Sequence, residues 1–133
     1  MKDGKRQILV VDDDEALQKL VNTLLTRADM EPTPALTARE AAQILRAGPL
    51  PDAVILDLML PDISGIEFLR QMRSKSKFDE LPVIILSALA DPDQIREGLQ
   101  VGADRYLTKP YLANNLVSTI QDILRTGRRK PSE

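Results

Sequence analysis

The sequence predicts an α/β fold in which helices cover both faces of a parallel sheet. Two observations lead to this class: short continuous apolar runs alternate with segments whose apolar residues recur every three to four positions. Continuous apolar runs are typical of strands buried on both faces, and the periodic segments are typical of amphipathic helices. The 133 residues, of which 43% are hydrophobic, suffice for one domain with a sizeable core.

The predicted strands fall into two groups by apolar content. Three are continuous apolar runs: Ile8 to Val11, Ala53 to Leu56 and Val83 to Leu86. Two are weaker candidates, Glu31 to Ala35 and Asp104 to Thr108. The weaker strands are the second and fifth along the chain, which matters for their placement in the sheet.

Pro32 and Pro34 indicate the order of the strands. Proline cannot donate to a sheet ladder, so the second strand belongs at an edge. The dinucleotide-binding order 3-2-1-4-5-6 would also put the very apolar third strand at an edge, whereas the order 2-1-3-4-5 puts only the two weak strands there. We therefore expect a flavodoxin-like, doubly wound, five-stranded parallel sheet of order 2-1-3-4-5 with five helices.

The helices carry recognisable start and stop signals. The predicted N-caps are Asp14, Thr37, Ser64 and Asp91. Thr37 and Ser64 are each followed three positions later by glutamate, which is the capping-box spacing, and Pro92 takes the first helical position after Asp91. Gly48 and Gly102 mark helix ends. The last helix is predicted from Leu116, Ile120, Ile123 and Leu124.

Composition excludes several kinds of chemistry. The chain contains no cysteine and no histidine, so thiolate nucleophiles, Ser-His-Asp triads, imidazole ligands and phosphohistidine are excluded. A metal site must therefore use oxygen ligands, which favours Mg²⁺, Mn²⁺ or Ca²⁺. The formal net charge of −2 argues against a dedicated nucleic-acid-binding domain. The sequence contains no apolar stretch long enough to span a bilayer and no signal peptide, so we expect a cytoplasmic protein without membrane contact.

Polar residues gather at the predicted carboxyl ends of the strands. Asp12 and Asp13 follow the first strand, and Asp57 ends the third. Ser87 ends the fourth strand and Lys109 follows the fifth. In a sheet of this order, ligands bind beyond the carboxyl ends of strands 1 and 3. The sequence therefore predicts a functional site at this edge.

Asp57 is the most informative of these residues, because apolar residues flank it on both sides. A carboxylate in such a run must be paired, protonated or bound to metal. One lysine is too little positive charge for three clustered carboxylates, and a divalent ion would relieve their repulsion. Asp12 and Asp13 could instead be turn residues, and Asp14 is better interpreted as a helix cap.

A set of motifs in this order resembles the receiver domain of two-component response regulators, the CheY-like family. They are Val10-Val11-Asp12-Asp13, Asp57-Leu58-Met59-Leu60-Pro61 with Gly65, Ser87-Ala88, and Gly102-Ala103-Asp104-Arg105-Tyr106-Leu107-Thr108-Lys109-Pro110. The resemblance extends from about Gln7 to Arg125. It implies a receiver domain at residues 1–125, followed at 126–133 by a basic tail or the start of a linker.

The resemblance assigns roles to the site residues. Asp57 is the expected phosphoacceptor, with Ser87 and Lys109 contacting the phosphoryl group. Mg²⁺, with Mn²⁺ as an alternative, is expected on Asp12, Asp13, Asp57 and the Met59 backbone carbonyl.

The remaining implications concern switching and partners. Ser87 and Tyr106 are the expected switch pair, and the peptide between Lys109 and Pro110 is expected to be cis. Because the chain lacks histidine, its phosphodonor must be a separate sensor histidine kinase, a histidine phosphotransfer protein or a small acyl phosphate. The expected protein is a regulator, not an enzyme, apart from its own phosphoryl transfer and slow autodephosphorylation. An output domain could follow residue 133, while the basic tail is expected to be a solvated linker rather than a nucleic-acid site.

Two other functions fit part of the pattern. A haloacid-dehalogenase-type phosphatase would use Asp12 as nucleophile, but after Lys109 the only acids are Asp122 and Glu133, and Asp57 would have no role. A docking module that never uses phosphate would keep a costly cluster of charge without employing it.

The resemblance carries two further expectations. In receivers, the side chains two positions after the phosphoacceptor and two after the Ser/Thr lie over the approach of the hydrolytic water. Here they are Met59 and Leu89, which are apolar and cannot orient a water, so slow loss of phosphate is expected. Transcription-factor-type receivers that pair through the fourth and fifth helices usually carry an acid where Arg105 stands and another near Asn115, so we expect no tight dimer of that kind.

Overall fold

The arrangement of the strands follows the alternation of apolar runs in the sequence. The computed structural model describes residues 4–88, 91–108 and 113–128. Its strands are β1 (Arg6–Val11), β2 (Met30–Ala35), β3 (Ala53–Leu56), β4 (Val83–Ser87) and β5 (Arg105–Thr108). Its α-helices are α1 (Glu15–Arg27), α2 (Ala38–Ala47), α3 (Gly65–Arg73), α4 (Pro92–Val101) and α5 (Ala113–Thr126), with a short 3-10 helix at Ser76–Phe78.

The strands form one parallel sheet in the order β2-β1-β3-β4-β5, which confirms the predicted order. β2 lies at an edge, with Pro32 opposite Ile8 and Pro34 opposite Val10. Every residue of β3 and β4 is buried, as continuous apolar runs require. The prolines and the apolar runs therefore placed the strands correctly.

The four predicted N-caps are confirmed by hydrogen bonds from backbone N–H groups to cap side chains. The bonds are Leu17 N to Asp14 (3.2 Å), Glu40 N to Thr37 (3.0 Å), Glu67 N to Ser64 (3.1 Å) and Asp93 N to Asp91 (3.1 Å). In a standard capping box the glutamate side chain accepts from the backbone N–H of the cap residue. At α2, Glu40 instead accepts from the backbone N–H of Leu36, one residue before the cap Thr37 (2.8 Å).

Side chains of successive strand residues pack on opposite faces of the sheet and form two hydrophobic clusters. The first contains Leu9, Val54 and Ile85 and is covered chiefly by α2 and α3. The second contains Ile8, Ile55 and Ile84 and is covered by α1 and α5. Both faces are therefore occupied by helices, which leaves the edge at the carboxyl ends of the strands for polar groups. Among the described residues, each helix is too short or too polar to cross a bilayer.

Candidate functional site

Three carboxylates converge at the carboxyl edge of β1 and β3. Asp12, Asp13 and Asp57 each offer a carboxylate oxygen, and these oxygens lie within 4.8 Å of one another. Asp12 and Asp57 are only 2% and 5% exposed, whereas Asp13 is exposed. The structure therefore brings together the acidic residues that the sequence analysis selected, with two of them withdrawn from water.

Backbone hydrogen bonds place the two buried aspartates. Asp57 N donates to Val11 O (2.9 Å), and Asp12 N donates to Ala35 O (3.0 Å), so each aspartate extends a sheet ladder by one step beyond its strand. Asp14 N also donates to Asp12 Oδ1 (2.9 Å). Both aspartates are thus held by the same network that holds the sheet, which limits how far their carboxylates can separate.

Gln18 is a site residue that sequence reasoning missed. From α1, its Nε2 lies 3.0 Å from Val10 O, 3.0 Å from Asp12 O and 3.2 Å from Ala35 O. One amide therefore joins the ends of β1 and β2 to the backbone of a candidate metal ligand. The sequence carried only a weak signal for it, a polar residue next to the buried Leu17 on the helix.

Gly65 brings α3 close to the candidate phosphoacceptor. A Cβ atom at this position would overlap the Asp57 carbonyl oxygen and lie 2.7 Å from the Leu58 Cα. Gly65 N donates to Leu58 O at 2.8 Å, which closes the loop between β3 and α3. Only glycine permits this approach, which accounts for the Gly65 of the sequence motif.

Ser87 and Tyr106 lie on neighbouring strands, and their side chains are joined by a hydrogen bond. Ser87 is fully buried at the end of β4, and Tyr106 is half-buried in β5 and packs against the first hydrophobic cluster. Burial raises the pKa of Tyr106, with further increases from Asp57 and Asp91, while its bond to Ser87 acts in the opposite direction. The phenol therefore stays neutral near pH 7 and keeps its proton for hydrogen bonding.

Of the other residues predicted for the site or its surroundings, some are described by the structure and some are not. Asp14 caps α1, as interpreted from the sequence. Met59 is 62% exposed and follows the buried Leu58 in the loop after β3. Lys109, the expected cis peptide to Pro110, and Leu89 lie outside the described residues.

The donor set of the acidic cluster fits a small divalent cation. Its ligand atoms are carboxylate oxygens, which Mg²⁺ and Mn²⁺ prefer, and each of three residues can supply one. Two buried carboxylates at this separation repel each other strongly, and a divalent cation offsets that repulsion. The cluster can therefore hold a hard metal ion beside the Asp57 carboxylate.

Comparisons with known proteins point to the same family. The family model of the response regulator receiver domain matches residues 8–121. The phosphate regulon transcriptional regulatory protein PhoB of Escherichia coli (strain K12) is 35% identical over 120 residues, which cover 90% of this chain and 52% of PhoB. The chain thus spans about half the length of the curated relatives it matches.

Solved receiver domains superimpose on the same residues. The receiver domain of Francisella response regulator 1452 matches with a TM-score of 0.84 and 31% identity, covering 92% of this chain and 98% of that one. The BeF3-activated receiver domain of DrrB, a Thermotoga maritima protein, matches with a TM-score of 0.80 and 32% identity over 91% of this chain and 98% of that one. Since sheet order, acidic edge and family match agree over the same residues, the chain belongs to the response regulator receiver domain family.

Proposed function

We propose that this receiver domain accepts a phosphoryl group on the Asp57 carboxylate and relays the event through Ser87 and Tyr106. The observation that carries the proposal is the convergence of three carboxylates within 4.8 Å at the end of the sheet where Ser87 also ends β4. Members of this family are regulators and not classical enzymes. The proposed output is accordingly a change in the surface that the domain presents to its partners. The only other product is the dephosphorylated donor.

Phosphoryl transfer requires a nucleophile that is fixed in place. An Asp57 oxygen attacks the phosphorus, the bond from phosphorus to the donor's imidazole nitrogen breaks, and the imidazole leaves with the electron pair. The Asp57 backbone is held by Val11 and by the close approach of Gly65, so its carboxylate needs little reorganisation. Lys109 would supply a positive charge to one phosphoryl oxygen, and the Ser87 hydroxyl would donate to another.

Asp12, Asp13, Asp57 and the Met59 carbonyl would hold Mg²⁺. When bound, the ion would neutralise negative charge on the phosphoryl oxygens. The role of the two buried carboxylates is then to place that charge, and the ladder bonds of Asp12 and Asp57 keep them in register with the sheet.

The Ser87–Tyr106 hydrogen bond supplies a physical route for the signal. A Ser87 hydroxyl that turns to a phosphoryl group on Asp57 gives up its partner on Tyr106. The ring can then turn toward the space that Ser87 leaves, which changes the surface formed by α4 and β5. The half-buried position of Tyr106 allows that turn without exposing a fully buried ring.

The partners follow from the same chemistry. The donor would be a sensor histidine kinase or a histidine phosphotransfer protein, in the cytoplasm. Because the chain spans about half the length of relatives such as PhoB, we also propose that a C-terminal output domain receives the signal.

The proposal is tested by locating the phosphoryl group after incubation with acetyl phosphate and Mg²⁺. We expect mass spectrometry to find one phosphoryl group, on Asp57. Asp57→Asn should abolish labelling while preserving the fold, because the amide is nearly isosteric. Asp14→Asn is the matched control, because asparagine is also a good N-cap and labelling should persist. A label on Asp12 would contradict the proposal in favour of a phosphatase-type nucleophile, and no label on any aspartate would remove the function itself.

A further inference from the structure

Asp104 is a buried carboxylate at the opposite edge of the sheet, between α4 and β5. Its side chain is fully buried. It accepts from Val83 N (2.9 Å) at the start of β4 and from Arg73 Nη2 (3.3 Å) at the end of α3. Burial and the neighbouring charge of Arg128 lower the pKa of Arg73 to about 10, while Asp104 and Asp79 oppose that shift, so Arg73 is protonated at neutral pH.

A second arginine reaches Asp104 from beyond the last helix. Arg128 Nε lies 2.9 Å from Asp104 Oδ1 and 3.2 Å from Oδ2. Its Nη1 donates to Asp79 O at 2.8 Å, and its Nη2 donates to Gly102 O at 3.1 Å. The three guanidinium nitrogens thus bind three residues on two loops, which is the planar fork geometry that lysine cannot reproduce.

The backbone between α5 and Arg128 is shaped for this contact. Gly127 has φ 78°, a left-handed conformation that favours glycine, and its N–H donates to Ile123 O (2.8 Å). This turn ends α5 and directly precedes Arg128, whose side chain reaches the turn between α4 and β5. The side chain of Arg128 is 25% exposed, whereas that of Arg125 is 73% exposed and pairs with Asp122 of its own helix. Arg128 therefore departs from the expectation of a wholly solvated basic tail.

We propose that the recess formed by the Asp104 carboxylate and the carbonyl groups of Asp79 and Gly102 is a docking site for residues 127–128 of this chain, directly after α5, with Arg128 as the anchor. The anchor fixes where Arg128 lies against the turn between α4 and β5. The recess is lined by an acid and two carbonyl oxygens, all of which accept from Arg128. Arg73 donates to the same Asp104 carboxylate and to Gly102 O (2.9 and 3.2 Å), so the two guanidinium groups share one buried negative charge.

The docking site is connected to the switch residues by position in the fold. Gly102 caps α4, and Asp104 directly precedes β5, which carries Tyr106. This step rests on the proposed function. A movement of α4 and β5 after phosphorylation changes the positions of Gly102 and Asp104, two of the three residues that hold Arg128. Arg128 is therefore placed to sense such a movement, as is Arg73, which binds Gly102 O and Asp104 from α3.

The anchor is tested by the Arg128 Nε–H resonance in ¹⁵N spectra of the whole chain. We expect a signal whose exchange with water is at least about tenfold slower than that of the Arg125 Nε–H, since only the former is bound to a buried carboxylate. Arg128→Ala should remove the signal and speed amide exchange in residues 102–105. Arg125→Ala is the matched control and should leave both unchanged. The fold should survive Arg128→Ala, because Asp104 keeps Arg73 and Val83 N. Equal exchange of the two arginines, or equal effects of the two variants, would overturn the docking site.

The connection to the switch is tested with beryllofluoride and Mg²⁺, a mimic of a phosphoryl group on a carboxylate. We expect shifts at Ser87 and Tyr106 together with a shift of the Arg128 Nε–H, and none of these in Asp57→Asn. Shifts at Ser87 and Tyr106 without one at Arg128 would overturn the connection alone. If no residue near Asp57 responds, the proposed function fails, while the docking result is unaffected.

Discussion

Gln18 illustrates how one uncharged side chain can organise an acidic site. Its amide donates to carbonyl groups at the ends of β1 and β2, including the carbonyl of Asp12. Residues that orient metal ligands contribute to affinity although they never touch the ion, and their loss typically weakens metal binding about 10–100-fold. We therefore regard Gln18 as a positioning residue for the proposed Mg²⁺ site.

The first prediction is that Gln18→Met weakens Mg²⁺ binding by about tenfold, because methionine keeps the length of the side chain but has no N–H donor. The measurement is the Mg²⁺ concentration that half-saturates the rise in unfolding temperature or the shift of amide resonances near Asp57. Lys19→Met, at the exposed neighbouring position, is the control and should bind Mg²⁺ as the parent does. Equal affinities in Gln18→Met and the parent would show that the three contacts are structural only.

The second prediction concerns the lifetime of the phosphorylated state. Met59 is exposed beside Asp57 and can neither donate nor accept a strong hydrogen bond, so it cannot orient the attacking water. We expect Met59→Asn combined with Leu89→Glu to speed loss of phosphate at least about tenfold, a barrier change near 1.4 kcal/mol. The assay follows the phosphorylated fraction of isolated protein over time by mass spectrometry.

Leu50→Asn serves as the control for that experiment, because Leu50 is also an exposed apolar residue but lies in the loop before β3. It should leave the lifetime unchanged. If the double variant decays at the rate of the parent, Met59 and Leu89 do not determine the lifetime.

At the scale of elements, Asp62 joins the loop after β3 to the start of α2. Its two carboxylate oxygens accept from Ala38 N (3.1 Å) and Arg39 N (2.9 Å), and Oδ1 also accepts from Ile63 N (3.1 Å). Desolvation by itself would raise the pKa of the exposed Asp62 carboxyl, but these backbone donors outweigh it and lower the pKa below its usual value. The loop that carries Asp57 is thus tied to a helix N-terminus that also has its own cap, Thr37.

The third prediction follows from the direction of that shift. A carboxyl group whose pKa is lower in the folded state stabilises the fold above its unfolded pKa, and the contribution is lost as pH falls through the folded pKa. Asp62→Asn should therefore lower stability at pH 7 by about 1 kcal/mol or less, with the difference from the parent closing on acidification. Denaturant unfolding between pH 7 and pH 2 measures it.

Asp29→Asn is the control for that series, because Asp29 is 84% exposed, and asparagine tolerates its positive φ of 65°. Its stability difference from the parent should be small at every pH. A constant difference for Asp62→Asn across the same range would contradict the lowered pKa of Asp62.

At the scale of the whole molecule, three arginines on the described part of the α4–β5–α5 face are paired within the chain. Arg105 donates to Asp122 on α5 (3.2 Å), Arg125 pairs with the same carboxylate, and Arg96 pairs with Asp93 (3.2 Å). Arg105 is thus already paired within the chain. The expectation of no tight dimer rested on this arginine, which stands where dimerising receivers usually carry an acid. An exposed pair contributes little stability, but it removes the charge that an intersubunit pair would need.

The fourth prediction is that phosphorylation does not produce a tight symmetric dimer through this face. We expect light scattering to give the mass of one chain, both with and without beryllofluoride and Mg²⁺, at protein concentrations of tens of micromolar. A dimer that appears on activation and dissociates in Asp122→Asn would contradict this expectation.

Much of this architecture was determined by local features of the sequence. The apolar runs specify which strands are interior, and Pro32 and Pro34 require an edge, so the order 2-1-3-4-5 follows without any knowledge of distant contacts. The caps Asp14, Thr37, Ser64 and Asp91 act within three residues of themselves, which is why sequence spacing alone located the helix starts. The acidic cluster could be anticipated because the carboxyl ends of parallel strands meet at one edge.

The contacts that only the tertiary structure decided join residues far apart in the chain. Asp62 caps α2 from the loop after β3, Gln18 bonds to the end of β2, and Arg128 reaches Asp104, 24 residues away in sequence. Each is a polar side chain, and the residues next to it in sequence do not indicate whether it is solvated or hydrogen-bonded to a distant group. A hydrogen bond depends on distance and angle in space, whereas hydrophobic period and capping depend on neighbours in sequence. The sequence therefore determined the framework and the acidic residues of the site, and the tertiary structure decided which side chains hold them in place and brought Arg128 to Asp104.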